Sequence, residues 1–269
     1  MVKHQNLEFR KAVLGFYKKH GRGHLPWRKT TNPYRILISE VMLQQTQVER
    51  VILKYKSFLK KFPTLYSLAR APLSSVLREW QGLGYNRRAK MLHTTAKTTI
   101  VNYSGRMPTS YDELVALPGV GPYTASAVRV FAFNKPDLLI ETNIRAALLH
   151  HFFPRAQKVH DRELLQLTVT PANVSPREWY AALMDYGAHL KATVPNPSRR
   201  SAHHVLQKPF RGSDREIRGA ILRTLSQKTQ TAQEILGLGF SAARTKKQLS
   251  ALMREKLITF RALRYTLHD

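Results

Sequence analysis

The segment from Leu117 to Val128 combines residue types that can bind an anion. It reads Leu-Pro-Gly-Val-Gly-Pro-Tyr-Thr-Ala-Ser-Ala-Val, so Gly119 and Gly121 form a Gly-x-Gly turn and Pro122 begins the next helix. Glycine adopts backbone angles that other residues resist, and proline loses no hydrogen bond in a first helical turn. Such a turn directs N–H groups at one point near the positive end of a helix dipole, which suits a phosphate. The alternative is an ordinary turn between two helices.

A single carboxyl group lies inside an apolar stretch that has helical periodicity. Glu40 stands among the apolar residues of a long helix predicted from Tyr34 to Tyr55, and Gln45 follows it. Apolar surroundings raise the pKa of a carboxyl group, so that it keeps its proton near neutral pH. Glu40 is therefore a candidate general acid, and the alternative is a solvated helix glutamate.

The charge of the chain predicts a polyanionic partner. Among 269 residues, 44 are Lys or Arg and 17 are Asp or Glu, which gives a formal net charge of +27. The basic residues are spread along the whole chain, as in folded proteins that bind nucleic acid. An anionic membrane surface ranks second, because no basic amphipathic helix with a bulky aromatic face is present. A ribosomal or architectural role is the remaining alternative.

The chain contains no cysteine, which excludes disulfides, thiolate metal sites and cysteine nucleophiles. The pair His203-His204 lacks other ligands at suitable spacing, so we predict a solvated loop there and no metal site. No apolar run is long enough to span a bilayer, and the N-terminus lacks the apolar core of a signal peptide. We therefore expect a cytoplasmic protein associated with the nucleoid.

Most of the chain is predicted to be helical, with glycine and proline at the breaks. Predicted helices cover 7–20, 34–55, 65–70, 73–80 and 178–190, a segment from Pro108 to Leu117, and segments after the Gly82–Arg88 turn and after Pro122. Residues 193–212 contain three prolines, three arginines and few apolar residues, which is typical of a linker. The predicted fold class is all-α.

The C-terminal segment 213–269 has a different pattern. Ser213 and Glu216 form a capping box, and helices are predicted at 215–226, 231–237 and 242–256. Residues 257–267 then alternate between apolar and polar, which is typical of a strand hairpin. Three helices followed by a two-stranded wing predict a winged-helix-like DNA-binding domain.

Six motifs together resemble the helix-hairpin-helix (HhH-GPD) DNA glycosylase superfamily, above all its MutY-like adenine glycosylases. They are Leu25-Pro-Trp-Arg28, Pro33-Tyr34, Ser39-Glu-Val-Met-Leu-Gln-Gln-Thr-Gln-Val48, Gly82-Leu-Gly-Tyr85, the hairpin Leu117–Tyr123 and Met184-Asp-Tyr-Gly187. The resemblance runs from about residue 9 to 190. It implies a two-lobed helical core over 1–192 with the active site between the lobes, a linker over 193–212, base flipping and hydrolysis of a glycosidic bond.

The chain departs from the family pattern in three places. The family usually carries four cysteines that bind an iron–sulfur cluster, and here the segment 193–212 has none, so we expect no cofactor. The acidic residue after the hairpin is normally aspartate, and here it is Glu141. Asn86 replaces a second tyrosine, and the domain that recognises oxidised guanine is replaced by the short C-terminal segment.

The resemblance also implies roles for individual residues. Glu40 would protonate the leaving base, Glu141 would stabilise the cation-like sugar, and Asn143 would orient one of the two glutamates. Tyr123 stands where lyase-type relatives carry a lysine, so we expect no Schiff base. Alternatives are a favourable helix-terminal charge for Glu141, a helix cap for Asn143 and a packed aromatic for Tyr123. Candidate DNA contacts are Gln45, Tyr85, Asn86, Arg87, Arg88, Lys90, Gly119, Gly121 and Thr124.

The sequence thus predicts a monomeric, monofunctional DNA glycosylase acting on double-stranded DNA that contains a mispaired or damaged base. Because a uracil opposite guanine is poorly paired and is a good leaving group, the sequence slightly favours that target. Adenine opposite guanine or 8-oxoguanine is the first alternative. A catalytically inactive DNA-binding protein is the second.

Overall fold

The computed structural model describes residues 2–207 and 209–269. The fold is helical, with one small antiparallel hairpin at the C-terminus, as predicted. The described residues form two compact units, each built from separate parts of the chain. Within the described residues, no helix is long and apolar enough to cross a membrane.

The first unit contains the chain through Leu37, Thr109–Val115 and Gly121–Leu206. Its helices pack around α11, whose Trp179, Tyr180 and Leu183 are fully buried. The elements are α1 (Val2–His20), the start of α2 (Pro33–Leu43), α7 (Tyr111–Ala116), α8 (Pro122–Phe133), α9 (Thr142–Phe152), α10 (Asp161–Leu165) and α11 (Pro176–Thr193), with 3₁₀ turns at Pro26–Lys29, Gln166–Thr168 and Pro197–Arg200.

The second unit contains Ile38–Pro108, Ala116–Val120 and Gln207–Asp269. Its elements are the end of α2, then α3 (Val48–Lys61), α4 (Leu65–Arg70), α5 (Leu73–Glu79), α6 (Arg87–Tyr103), α12 (Asp214–Gln227), α13 (Ala232–Leu236), α14 (Ala242–Arg254), β1 (Ile258–Arg261) and β2 (Arg264–Leu267). The strands pair antiparallel, with Ile258 opposite Leu267 and Phe260 opposite Tyr265.

The three helices and hairpin of the C-terminal segment occur in the order expected for a winged helix. This segment does not stand apart from the helical lobe before it. Helix α12 and strand β2 both pack on α5, so residues 213–269 share a compact unit with residues 38–108. The domain boundaries inferred from the sequence therefore stay a prediction.

The predicted long helix from Tyr34 to Tyr55 is wrong, because the chain breaks it into α2 and α3. Gln45 takes a left-handed conformation at φ 53°, and Gln47 is extended before the first turn of α3. Left-handed angles cannot continue a right-handed helix. Gln45 therefore lies in a sharp turn just after α2, the helix that carries Glu40.

The motif at Leu25–Arg28 is fixed by a buried carboxylate from α11. Asp185 accepts hydrogen bonds from the Arg22 backbone N–H at 2.8 Å and from the Arg22 side chain, and it forms an ion pair with Arg28 at 3.3 Å. Trp27 is buried beside this pair, and the Arg28 guanidinium lies 5.8 Å from the centre of the Phe131 ring. The motif therefore joins the N-terminal turn to the helices of the first unit.

The tip of the hairpin is held against α6. The Thr95 hydroxyl donates to the Pro118 carbonyl, and the Val120 N–H closes the turn on the Leu117 carbonyl at 3.1 Å. Gly119 has a φ of +77°, and a Cβ at this position would lie 2.4 Å from the Cβ of Met91. Both its backbone angle and its close approach to α6 therefore require glycine.

Helices α9 and α11 make another close approach, at Gly187. A Cβ on Gly187 would lie 1.8 Å from the backbone oxygen of Asn143. Gly187 therefore lets α11 pack directly on the first turn of α9.

We expect Gly187→Ala to destabilise the fold by about 1–3 kcal/mol or more, because the added methyl group forces α9 and α11 apart. The matched control is Gly15→Ala, since Gly15 lies in helix α1 with no atom near its would-be Cβ. That change should stabilise the helix by about 0.5–1 kcal/mol. Denaturant unfolding of both variants measures the difference, and equal effects would contradict the packing described.

Candidate functional site

Glu40 lies in a buried, apolar part of α2. It is only 7% exposed, and its neighbours Ile36, Leu37, Val41 and Met42 are also buried. The burial predicted from the sequence is confirmed. A carboxylate in such surroundings loses hydration that only a polar partner can replace, whereas a protonated carboxyl group is far easier to bury.

The C-terminal end of α2 is fixed by one arginine. The Arg88 Nη1 donates to the carbonyls of Val41 at 2.6 Å, Met42 at 3.1 Å and Gln44 at 2.7 Å. A cation at this end of a helix also complements the helix dipole. Arg88 therefore holds the end of the helix on which Glu40 lies.

The other terminal nitrogen of Arg88 binds the glycine turn. Its Nη2 donates to the Leu83 and Gly84 carbonyls at 3.1 Å and to the Thr46 hydroxyl at 3.2 Å. Burial lowers the pKa of Arg88 to about 10, so it stays charged at neutral pH. Protein acceptors lie at both terminal nitrogens, which gives Arg88 a structural role, and its phosphate contact stays a prediction.

Gln45 and Tyr85 share a hydrogen-bond partner near this arginine, whose guanidinium lies 5.6 Å from the centre of the Tyr85 ring. Both have left-handed backbone angles, with φ of 53° and 48°. Gln207, from the predicted linker 193–212, donates from its side-chain amide to the Tyr85 hydroxyl and, at 3.3 Å, to the Gln45 side-chain oxygen. Arg215 also reaches the Tyr85 hydroxyl, at 3.2 Å. Two residues predicted to contact DNA thus form one polar cluster, and Tyr85 is 39% exposed there.

Asn86 and Arg87 open helix α6 beside this cluster. Asn86 occupies the N-cap position, and its side chain makes no capping hydrogen bond. Arg87 is exposed at the first helical position. Both side chains therefore remain candidates for contacts with a ligand.

Glu141 caps the N-terminus of α9. Its Oε1 accepts hydrogen bonds from the backbone N–H groups of Asn143 at 2.8 Å and Ile144 at 2.9 Å. Its Oε2 accepts from the side-chain amide of Asn143 at 3.2 Å. The helix-terminal position considered from the sequence is therefore present, and Asn143 also makes the contact expected of a group that orients a glutamate.

Lys191 is a member of this site that the sequence did not identify. Its Nζ donates to the Asn143 side-chain oxygen at 3.2 Å, so Asn143 bridges Lys191 and Glu141. Lys191 lies one helical turn after Gly187, and residues at this spacing share a helix face. Gly187 in the Met184–Gly187 motif is therefore the sequence signal that could have pointed to Lys191.

Opposing effects set the ionisation of Glu141. Burial raises the pKa of Glu141 above its usual range. Two backbone N–H donors and the positive charges of Lys191 and Arg145 act in the opposite direction. The residue as a whole is half-buried, so its charge depends on these donors more than on bulk water.

The start of α8 carries the remaining hairpin residues. Gly121 is the N-cap, and among the described residues no atom beyond its chain neighbours lies within 4 Å of its would-be Cβ, so the backbone is approachable there. Tyr123 is half-buried in the first turn. Thr124 is only 3% exposed, and the DNA contact predicted for this residue stays a prediction.

The segment in place of the cluster loop is held by hydrogen bonds to α9. The Ser198 hydroxyl donates to the Thr142 carbonyl at 2.9 Å, and an Arg200 Nη2 donates to the Leu149 carbonyl at 2.8 Å. Asn196 caps the short turn by accepting from the Ser198 N–H at 3.0 Å. Among the described residues, no group of three or more His, Asp or Glu side chains is placed to hold a metal ion.

The HhH-GPD superfamily of base excision DNA repair proteins matches residues 38–236. The chain therefore belongs to this superfamily, as its motifs predicted.

Several proteins named adenine DNA glycosylase are similar in sequence. The protein from Buchnera aphidicola subsp. Baizongia pistaciae is 38% identical over 186 residues, which cover 68% of this chain and 52% of that protein. The protein from Mycobacterium tuberculosis is 31% identical over 273 positions, which cover 92% of this chain and 89% of that protein. The chain thus spans about half the length of the first relative and most of the second.

Solved structures agree with the fold. A thermostable thymine-DNA glycosylase has a TM-score of 0.61 and 28% identity, covering 70% of this chain and 88% of that chain. Endonuclease III in a non-covalent DNA complex has a TM-score of 0.55 and 21% identity, covering 76% of this chain and 90% of that chain. The second likeness concerns the fold alone.

We expect Arg88→Met to destabilise the protein by at least about 2 kcal/mol, because it removes a charged donor from several buried carbonyls. Arg87→Met is the matched control. Arg87 is exposed and adjacent, so its loss should change stability by no more than about 0.5 kcal/mol. Urea unfolding compares the two variants. A small effect of Arg88→Met on stability would contradict the structural role of Arg88 and favour its predicted contact with DNA.

Proposed function

We propose that this protein is a monofunctional DNA glycosylase of base excision repair that removes adenine from a mispair in double-stranded DNA. The observation that carries the proposal is a buried carboxyl group, Glu40, on a helix whose end is fixed by Arg88. Family membership and the names of the sequence relatives support it.

In the proposed reaction, Glu40 is the general acid. Adenine is a poor leaving group as an anion, so it needs a proton on a ring nitrogen as the bond between base and sugar breaks. Glu40 is only 7% exposed, so it would pass this proton to the base in a place largely shielded from bulk water. The electron pair of the bond leaves with the base, and water adds to the sugar carbon. The proton that this water loses restores the protonated form of Glu40, directly or through solvent.

Glu141 is proposed to stabilise the positive charge that develops on the sugar. The N–H donors at the start of α9 and the Asn143 side chain favour its carboxylate form. Fixed electrostatic groups of this kind stabilise a transition state without reorganising during the reaction. The Glu141 side chain is longer than the aspartate that is usual in the family, and these contacts hold it in one orientation.

The reaction is proposed to end at base removal. Tyr123 has no amine and cannot attack the opened sugar to form a Schiff base. Strand breaks should therefore appear only after alkali treatment of the product. No resident metal or cluster takes part in this proposal.

The target base is revised from the preference for uracil that the sequence alone gave. The sequence relatives described above are named for adenine, and a buried acid serves a purine more than a uracil, which leaves with its charge spread over the ring. A pyrimidine opposite guanine is the second candidate, because the thymine-DNA glycosylase shares the fold at 28% identity.

Single-turnover assays on matched duplexes test the target. We expect adenine opposite 8-oxoguanine or guanine to be released faster than uracil or thymine opposite guanine. Breaks before alkali, or a covalent complex trapped by borohydride, would overturn the monofunctional assignment. Faster release of uracil or thymine would show that the target is a pyrimidine opposite guanine, the second candidate. Binding without release of any base would indicate a DNA-binding protein without catalytic activity.

Two isosteric variants test the carboxyl groups. Glu40→Gln should abolish excision, because it removes the proton donor and keeps the shape. Glu141→Gln should slow excision by at least ~100-fold, which is typical for loss of one electrostatic contact to a transition state. Both should bind the duplex nearly as tightly as the unaltered protein, and a near-normal rate would remove that residue from the mechanism.

A further inference from the structure

A basic cleft in the second unit lies between the first turn of α6 and the last turn of α14. It has a volume of about 420 Å³ and is lined by Arg87, Lys90, Met91, Ala251, Arg254 and Glu255. One wall of the cleft thus comes from α6, which supports the hairpin, and the other comes from the C-terminal segment.

The cleft holds more positive than negative charge. Its one carboxylate, on Glu255, forms an ion pair with Arg218 at 2.6 Å. Arg87 and Arg254 are exposed in the wall of the cleft. The pairing of Glu255 with Arg218 leaves these two guanidinium groups without a compensating anion among the lining residues.

Lys90 is part of the structure of the cleft. Its Nζ donates to the Glu255 backbone carbonyl at 2.5 Å, which ties α6 to the end of α14. Burial, and then the positive charges of Lys256 and Arg87, lower the pKa of Lys90. Cations are therefore close enough to repel one another here, and an anion bound between them relieves that repulsion.

The cleft borders the hairpin. Met91 lines it, and this is the residue on which Gly119 packs, with its would-be Cβ 2.4 Å from the Met91 Cβ. The hairpin turn is itself a predicted phosphate site. The cleft therefore lies next to the turn in which a phosphate site is predicted.

We propose that this cleft binds a phosphate of the DNA backbone, so that α6 and the C-terminal α14 hold the duplex through one shared site. The proposal rests on the proposed function, in which DNA is the substrate. Two guanidinium groups suit a phosphodiester because each presents paired N–H donors to its oxygens.

The salt dependence of binding to an undamaged duplex tests the proposal. The probe variant combines Arg87→Gln with Arg254→Gln and leaves Lys90 in place, because Lys90 holds the two helices together. Loss of one phosphate contact should reduce the slope of log K against log of the KCl concentration by about 0.9. Affinity should then fall about eightfold at about 0.1 M KCl and converge with that of the unaltered protein near 1 M.

A matched control removes two exposed charges elsewhere in the second unit, by Arg223→Gln together with Lys56→Gln. Its slope should stay close to that of the unaltered protein. Arg87→Lys together with Arg254→Lys should restore most of the slope, which separates loss of charge from misfolding. Thermal melting reports the fold of every variant.

An unchanged slope in the probe variant, or an equal change in the control, would overturn the cleft as a phosphate site. Because the duplex is undamaged, this result does not depend on which base is excised. If the unaltered protein released no base from any duplex, the proposed activity would be wrong. The salt dependence of binding would still test the cleft as a phosphate site.

Discussion

The structure depends on a half-buried carboxylate that is bound at the start of a helix. Glu141 occupies the N-cap of α9, and its oxygens are satisfied by N–H groups of that helix and by the amide of Asn143. An unpaired buried carboxylate would be very costly, so its surroundings must supply donors and positive charge. Lys191 provides that charge from α11, and the close approach at Gly187 brings α11 near enough to do so.

A second ionised group has a corresponding role in the other unit. Arg88 binds the last carbonyls of α2, the helix of Glu40, and also those of the turn at 83–84. Glu141 thus fixes the beginning of α9, and Arg88 fixes the end of α2, the helix that carries Glu40. Each carboxyl group thus lies on an element that is fixed by its own set of contacts, and the proposed reaction needs such fixed positions.

Much of this fold could be predicted from the sequence because local chemistry decides it. Glycine and proline mark the hairpin, and Ser213 is the N-cap of α12. The capping box predicted there is wrong, because the Ser213 hydroxyl donates to the Phe210 carbonyl and Glu216 accepts from the Gly212 N–H. The break at Gln45 was missed, since apolar periodicity continues across it and only the left-handed backbone of one residue interrupts the helix.

The candidate site was harder to predict where it depends on contacts distant in sequence. Arg88 looked like a surface cation because nothing nearby in the sequence reveals the carbonyls of Val41 and Gln44 that surround it. Lys191 was missed for the same reason, since its partner Asn143 lies on another helix. The preference for uracil came from departures from the family pattern, and these do not by themselves identify the target base.

The pH dependence of single-turnover excision tests most directly whether Glu141 acts as a carboxylate. Burial raises its pKa and Lys191 counteracts part of that effect, so the charge is lost as the pH falls through the raised value. Lys191→Met should therefore move the acid limb of the rate profile to higher pH, and Lys191→Arg should leave it near its original position. Superimposable profiles for the unaltered protein and both variants would contradict a charged Glu141 in the reaction.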